Sequence, residues 1–235
     1  DGETLYLDSI SAGDEPRLVA EKTNGTAVVT GKKRKFPCRY AIEELGCNVL
    51  LLDDGFQHLS VNRNIDLVLF NTATNLNLLH VLPSGILREP FSALMRADAF
   101  IISGCSENNL VQTQELISYL NRDKLLKPSF QLNYIPSHYV AQNGRIIELE
   151  ALHSAVFAFC GIASPERFLN TLTLLFVDVV NSASFSDHHS YSQEFLNNII
   201  SQAKTHGASA LLTTEKDLVK LKSFKTELPL YALCM

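Results

Sequence analysis

Short, unbroken apolar runs, each followed by a helix-like segment, constrain this chain more than any other feature of its sequence. "DLVLFN", "AFIISG", "AVFAFCG" and "SALLTT" place Val, Ile, Leu, Ala and Phe side by side with little polar alternation. A strand that is apolar on both faces must be covered on both, as a parallel strand between two helical layers is. "TLYLDSI", "TAVVTG", "NVLLLDD", "LLFVDVV" and "LPLYAL" read in the same way. Between the strands lie segments of helical periodicity: "GDEPRLVAEKT", "CRYAIEELG", "ENNLVQTQELISYLNRDK", "SPERFLNTLTLL" and "SQEFLNNIISQAKTHG". The pattern predicts an α/β fold, a mainly parallel sheet with helices on both faces.

One stretch breaks this rhythm. "PSFQLNYIPSHYVAQNGRIIELEAL" alternates on either side of Asn143-Gly144, a strong hairpin signal. It predicts a β-hairpin linker over residues 129–152, joining a lobe at 1–128 to a second α/β lobe at 153–235.

Composition narrows the partners. The 235 residues are 46% hydrophobic and 19% charged with a formal net charge of −5, enough chain for a sizeable core. The mild acidity gives no support for a nucleic-acid partner, whose phosphates need a basic surface. Five widely spaced cysteines without a C-x-x-C pair read as reduced thiols, not as a disulfide framework or a zinc site. The apolar stretches are strand-sized, so none is long enough to span a bilayer as a helix. The chain opens at "DGETLYL" without Met and closes at "LPLYALCM" inside an apparent strand. It is expected to be part of a longer protein.

Ligands of open α/β sheets sit beyond the carboxyl ends of the strands. "NVLLLDDGFQH" ends an apolar run in Asp53 and Asp54, like charges that repel unless something positive lies near. An apolar strand ending in an acid has the form of a Walker-B element, whose carboxylate holds Mg²⁺ beside ATP phosphates. Gly55 allows close backbone approach, and His58 returns a second functional group to that edge. The local alternative is a capping Asp53 and a solvated Asp54.

"AGDEP" offers Asp14 and Glu15 either as first-turn acids of a helix or as a carboxylate base at a loop–helix junction. "FSDHHSY" offers a metal site, an imidazole oriented by an acid, or a helix cap. Arg88 of "LPSGILREP" has the planar fork that suits phosphate. "LLTTEKD" weakly resembles the base-contacting Lys-x-Asp loops of P-loop proteins, but its Lys is next to Asp, and Thr214 as an N-cap is the better local explanation. No G-x-x-x-x-G-K-[ST] or G-x-G-x-x-G loop occurs, and "TGKKRK" is a poor phosphate cradle.

In this order, "GDEP", "DDGFQH", "LPSGILREP", "FCGIASPERF", "FSDHHSY" and "TTEKD" closely resemble the tetraacyldisaccharide 4′-kinase family, across essentially the whole chain. The resemblance implies a P-loop NTPase-like fold of two lobes. It implies ATP- and Mg²⁺-dependent phosphorylation of the 4′-hydroxyl of tetraacyldisaccharide 1-phosphate, a lipid A precursor. It also implies peripheral attachment at the cytoplasmic face of the bacterial inner membrane. Carried onto matching positions, Asp14 is the catalytic base with His188, preferred over His189, as its partner. Asp53 and Asp54 position Mg²⁺. Glu15, His58, Arg88, Glu215 and Asp217 support nucleotide or substrate.

The family's Gly-rich, Lys-containing P-loop and its membrane-docking segment would precede residue 1. The chain alone is therefore expected to bind ATP poorly and to be inactive. The alternative function is a non-catalytic fragment of such a kinase that binds glycolipid or a partner. A metal-dependent hydrolase using Asp53, Asp54, His188 and His189 is a further reading.

Overall fold

The computed structural model describes residues 1–7, 9–122 and 126–235. It divides into two compact units that interleave in sequence. One comprises Asp1–Lys32, Pro37–Cys47 and Pro136–Met235, and the other Lys33–Phe36 and Asn48–Ile135.

The larger unit is built on a six-stranded sheet. Its strands are β4 (His138–Ala141), β5 (Ile146–Ile147), β6 (Val156–Cys160), β7 (Val179–Ser184), β8 (Ala210–Thr214) and β9 (Leu230–Cys234), in the order β5-β4-β9-β8-β6-β7. The pairs β9–β8, β8–β6 and β6–β7 are parallel, while β4 runs antiparallel to β5 and β9. The apolar runs behave as two-faced strands must. Phe157, Phe159 and Leu211 point into one core with Leu196, Ile199 and Ile200 of α6 (Gln193–Thr205) and Leu218 and Leu221 of α7 (Glu215–Leu221). Val156, Ala158, Ala210 and Leu212 point to the opposite side, onto Phe168 and Leu172 of α5 (Pro165–Leu174). Helices therefore cover both faces.

The smaller unit holds a parallel sheet β1-β2-β3, with β1 at Leu67–Asn71, β2 at Ala99–Ser103 and β3 at Ser129–Leu132. Phe100 and Ile102 pack with Leu116 and Leu120 of α4 (Leu110–Leu120).

Three short helices complete the described chain: α1 (Ser9–Ala12), α2 (Asp14–Lys22) and α3 (Lys35–Glu43). α2 has no buried residue. A nine-residue polar helix is marginal by itself, and this one is held to α7 by charge. Asp14 pairs with Lys220, Glu15 with Lys216, Lys22 with Glu215, and Glu21 with Lys222 just beyond α7.

The structure departs from the sequence expectations in several places; the expected strand "LLFVDVV" is shifted, because Leu174 ends α5 and β7 begins only at Val179. Residues 26–31 and 48–54 form no strand, nor do the described residues of "TLYLDSI". A strand exists only where a neighbour supplies a hydrogen-bonding ladder, and Val49 and Leu51 are instead 73% and 94% exposed. The Asn143-Gly144 hairpin forms, with Gly144 at φ 86°, but it is not a free linker. β4 pairs with β9 along four residues, His138–Ala141, so the hairpin extends the large sheet. Residues 129–132 belong to the other sheet, as β3. The division at 128 and 152 is also redrawn, because the ion pairs of α2 with α7 place the first 32 residues in the unit that contains the C-terminal residues.

Two measurements probe this packing. The cysteines are free thiols. Burial, with Asp217 adding to it, pushes Cys160 up to about 11, and burial with Glu215 nearby pushes Cys234 to about 12. With a disulfide-exchange reagent at mildly alkaline pH, half-exposed Cys38 and Cys47 are expected to react promptly, and Cys105, Cys160 and Cys234 only on unfolding. Glu21 tests the charged helix contact. Burial alone would raise its carboxyl, but Lys222 and Arg17 outweigh burial and hold it below the usual glutamate value. The stability this provides is complete above the unfolded pKa of about 4.3 and is lost as pH falls through the lower folded value. Glu21→Gln should lower the melting temperature at neutral pH, and the difference from wild type should close on acidification through that range.

Candidate active site

Parallel strands deliver their carboxyl ends to one edge of a sheet. In the larger unit β6 ends just before Gly161, β7 leads into "FSDHHSY", and β8 ends at Thr214, the N-cap of α7. Thr214 Oγ1 accepts the backbone N–H of Asp217 at 3.2 Å and donates to Asp217 Oδ2 at 2.8 Å. The Gly161 N–H donates to the same Oδ2 at 2.9 Å. Asp217 Oδ1 lies 3.3 Å from Lys220 Nζ. Asp217 is wholly buried with both oxygens engaged internally. The expected contact to nucleotide or substrate is corrected: Asp217 is an anchor that joins β6 to α7. Glu215 is likewise occupied, 2.7 Å from Lys22.

Asp14 opens α2 after Gly13, whose φ of 93° is one that glycine adopts freely. Its Oδ2 lies 3.3 Å from Lys220 Nζ and 3.4 Å from His188 Nδ1. Glu15 accepts from Lys216 Nζ at 3.0 Å, and the same ammonium reaches Asp187 at 3.2 Å and His188 Nε2 at 3.2 Å. These contacts fix the tautomer. An ammonium only donates, so Nε2 must accept, and the ring proton sits on Nδ1 facing Asp14. Burial would raise the Asp187 carboxyl, but Lys216 and then His188 prevail and hold it below the usual range. Lys216 is correspondingly raised, its carboxylate partners Glu15 and Asp187 outweighing burial.

The two histidines of the motif are treated differently by the fold. His188 adopts φ 56°, uncommon for a residue with Cβ, and presents its ring to Asp14. His189 turns inward. Its ring stacks on Phe185 at 5.0 Å and meets Phe195 at 4.7 Å and Tyr191 at 5.0 Å. A Cβ at Gly161 would sit 2.9 Å from His189 Cβ and 3.0 Å from Tyr191 Oη, so only glycine fits beneath this loop. Burial, and next the charge of Asp217, push the Tyr191 phenol well above its ordinary value.

The smaller unit carries the second group of expected residues. Asp53 and Asp54 lie on an exposed turn, Asp54 at φ 49°. Arg88 Nη1 donates to Asp54 Oδ2 at 3.1 Å, with both side chains 66% exposed. Arg88 is thus the positive neighbour that the adjacent carboxylates require. A Cβ at Gly55 would lie 2.7 Å from Leu52 Cβ, which fixes glycine there. The backbone N–H of His58 closes the turn onto Gly55 O at 2.9 Å. Arg63 Nη1 donates to His58 O at 2.8 Å, and its Nε pairs with Asp66, which ties the turn down. No cluster of three or more His, Cys, Asp or Glu with metal-site geometry occurs among the described residues. Mg²⁺, however, keeps several waters and needs only one or two carboxylates. Two adjacent, exposed hard-oxygen donors fit that ion.

The sequence reading missed Lys216 and Lys220. Their i, i+4 spacing on a helix starting at Thr214 puts both on one face, and that spacing was the available signal.

Fold and cluster together define the class: an α/β protein of the P-loop kinase type, with a carboxylate–imidazole pair at its strand ends. The family model for tetraacyldisaccharide-1-P 4′-kinase matches residues 3–235, and the chain belongs to that family. It is 42% identical over 233 residues to the tetraacyldisaccharide 4′-kinase of Desulfotalea psychrophila, covering 99% of this chain and 66% of that protein. It is 36% identical to the corresponding protein of Anaeromyxobacter dehalogenans, covering 94% of this chain and 59% of the relative. A crystal structure of the "apo" form of LpxK from Aquifex aeolicus in complex with ATP matches with a TM-score of 0.72 at 27% identity, over all of this chain and 67% of that one. The chain thus spans less than two thirds of the length of these curated relatives.

The anchor role of Asp217 predicts a stability effect. Asp217→Ala leaves Lys220 facing a buried gap and the Gly161 N–H unpaired, and should cost about 3 kcal/mol in urea unfolding. An unchanged unfolding midpoint would contradict the assignment.

Proposed function

We propose that this chain acts, as part of a longer protein, in the ATP-dependent phosphorylation of the 4′-hydroxyl of tetraacyldisaccharide 1-phosphate during lipid A biosynthesis. The observation that carries this reading is the meeting of Asp14 with His188, 174 positions apart in sequence, within a chain whose family match runs from 3 to 235.

Phosphoryl transfer asks a protein chiefly for positioning and charge neutralisation, with a base for the hydroxyl proton. Both His188 and Lys220 meet Asp14 at Oδ2, which leaves Oδ1 as the acceptor for the sugar alcohol. The alcohol oxygen bonds to the γ-phosphorus as the bond to the β,γ-bridging oxygen breaks. The hydroxyl proton passes to Asp14 and ADP departs. The Nδ1–H of His188 faces Asp14 and keeps the carboxylate aligned. Asp53 and Asp54 would hold Mg²⁺, which neutralises phosphate charge when bound. Arg88 has the fork to take phosphate oxygens, and His58 and Glu15 are, each within its own unit, the supporting residues of this reading.

The backbone amides and lysine of a P-loop are not among these residues. Residues 1–235 alone should therefore bind ATP weakly and turn over no substrate. The same proposal sets the reaction on the cytoplasmic side, where ATP is supplied, and takes the peripheral contact with the inner membrane from the family resemblance alone. No helix among the described residues is long and apolar enough to cross a membrane.

The test is transfer of γ-phosphate to the disaccharide by a full-length version. Asp14→Ala and His188→Ala should each lower kcat by roughly 10²- to 10⁴-fold, and Asp54→Ala should weaken the dependence on Mg²⁺. Wild-type-like turnover in the first two variants removes the base assignment. A full-length protein that binds the glycolipid without turnover is instead the non-catalytic module.

A further inference from the structure

Lys220 occupies a position that proton transfer alone does not explain. Its ammonium has three N–H donors and three acceptors around it. Asp14 Oδ2 and Asp217 Oδ1 each lie at 3.3 Å, and the carbonyl oxygen of His189 lies at 3.0 Å. The aromatic face of Tyr191 covers it, with the ring centre 5.2 Å away. The side chain is only 10% exposed.

Each acceptor belongs to a different part of the site. Asp14 is the base on α2. His189 O is the backbone of the residue directly after His188. Asp217 is the buried anchor, tied to the end of β6 through Gly161. One cation thus fixes the separation between the base, the loop carrying its imidazole, and the sheet edge. A purely structural partner for Asp217 would have no need to reach Asp14.

We infer that Lys220 is a positioning residue for phosphoryl transfer: it holds Asp14 Oδ2 against His188 and so aims Oδ1 at the alcohol. The inference rests on Asp14 being the base, as proposed above. Lys220 touches neither substrate nor nucleotide in this role and acts through Asp14. Lys216, one turn earlier, complements it from the Nε2 side of the ring.

The test is a double-mutant cycle in the full-length version. Lys220→Met should lower kcat by roughly 10- to 100-fold, with KM for ATP and disaccharide within about twofold of wild type. In an Asp14→Asn background the same change should have little further effect on kcat, because the group it acts through is already gone. Independent, multiplying losses would overturn the inference, as would an unchanged kcat in the single variant. Should Lys220→Met fail to fold, Lys220→Gln keeps a donor for His189 O without the charge and is read in the same way.

A second measurement needs no Lys220 variant and no turnover. The ¹⁵Nζ resonance of Lys220 should shift on Asp14→Asn while that of Lys222 stays in place; a Lys220 resonance that does not move overturns the inference. An inactive wild-type enzyme counts against the proposed function, whereas an unmoved resonance counts against Lys220 alone.

Discussion

The charged contact between α2 and α7 is the constraint on which the site depends. α2 buries no residue, and Val19, a large apolar side chain in it, is half exposed. Apolar area therefore contributes little to its placement. Four carboxylate–ammonium pairs along its length set its height and rotation against α7. α7 in turn is fixed by Leu218 and Leu221 in the core and by Asp217 beneath it. Asp14 reaches His188 because a polar helix is clamped onto an anchored one.

The sheet explains why these parts gather where they do. β6, β7 and β8 are parallel neighbours, so Gly161, the "SDHH" loop and the start of α7 emerge on one edge. The tight fit at Gly161 brings His189, Tyr191 and Asp217 to within van der Waals range of one backbone position. His189 fills space there, and His188 is left facing Asp14. Two adjacent residues of one type thus have opposite assignments, set by which of them the aromatic cluster takes.

Much of this was legible in the sequence. Two-sided apolar strands announced the covered parallel sheet, Asn143-Gly144 marked the hairpin, and Thr214 proved to be an N-cap whose side chain accepts a backbone N–H. The motifs pointed to Asp14, His188, Asp54 and Arg88, and the last two do meet. What could not be read was which polar residue faces inward. Asp217 looks like a ligand in a polar string, yet the Gly161 N–H and the Thr214 hydroxyl bond its Oδ2, and Lys220 pairs with its Oδ1. Lys220 looks like a surface lysine, and only the tertiary placement of α2 brings Asp14 to it. The apolar runs at 26–31 and 48–54 misled because pairing depends on a neighbour and not on the run itself.

His188 carries its ring on a left-handed backbone, at φ 56°. For a residue with a Cβ that conformation costs on the order of 1–2 kcal/mol. Glycine or asparagine would relieve the loop, but neither offers a nitrogen on each side of a ring, one for Asp14 and one for Lys216. Position 188 is therefore a place where an easier backbone and the two ring contacts oppose each other: sequence drift toward the first would relax the loop and cut its link to α2 and α7 at the same time.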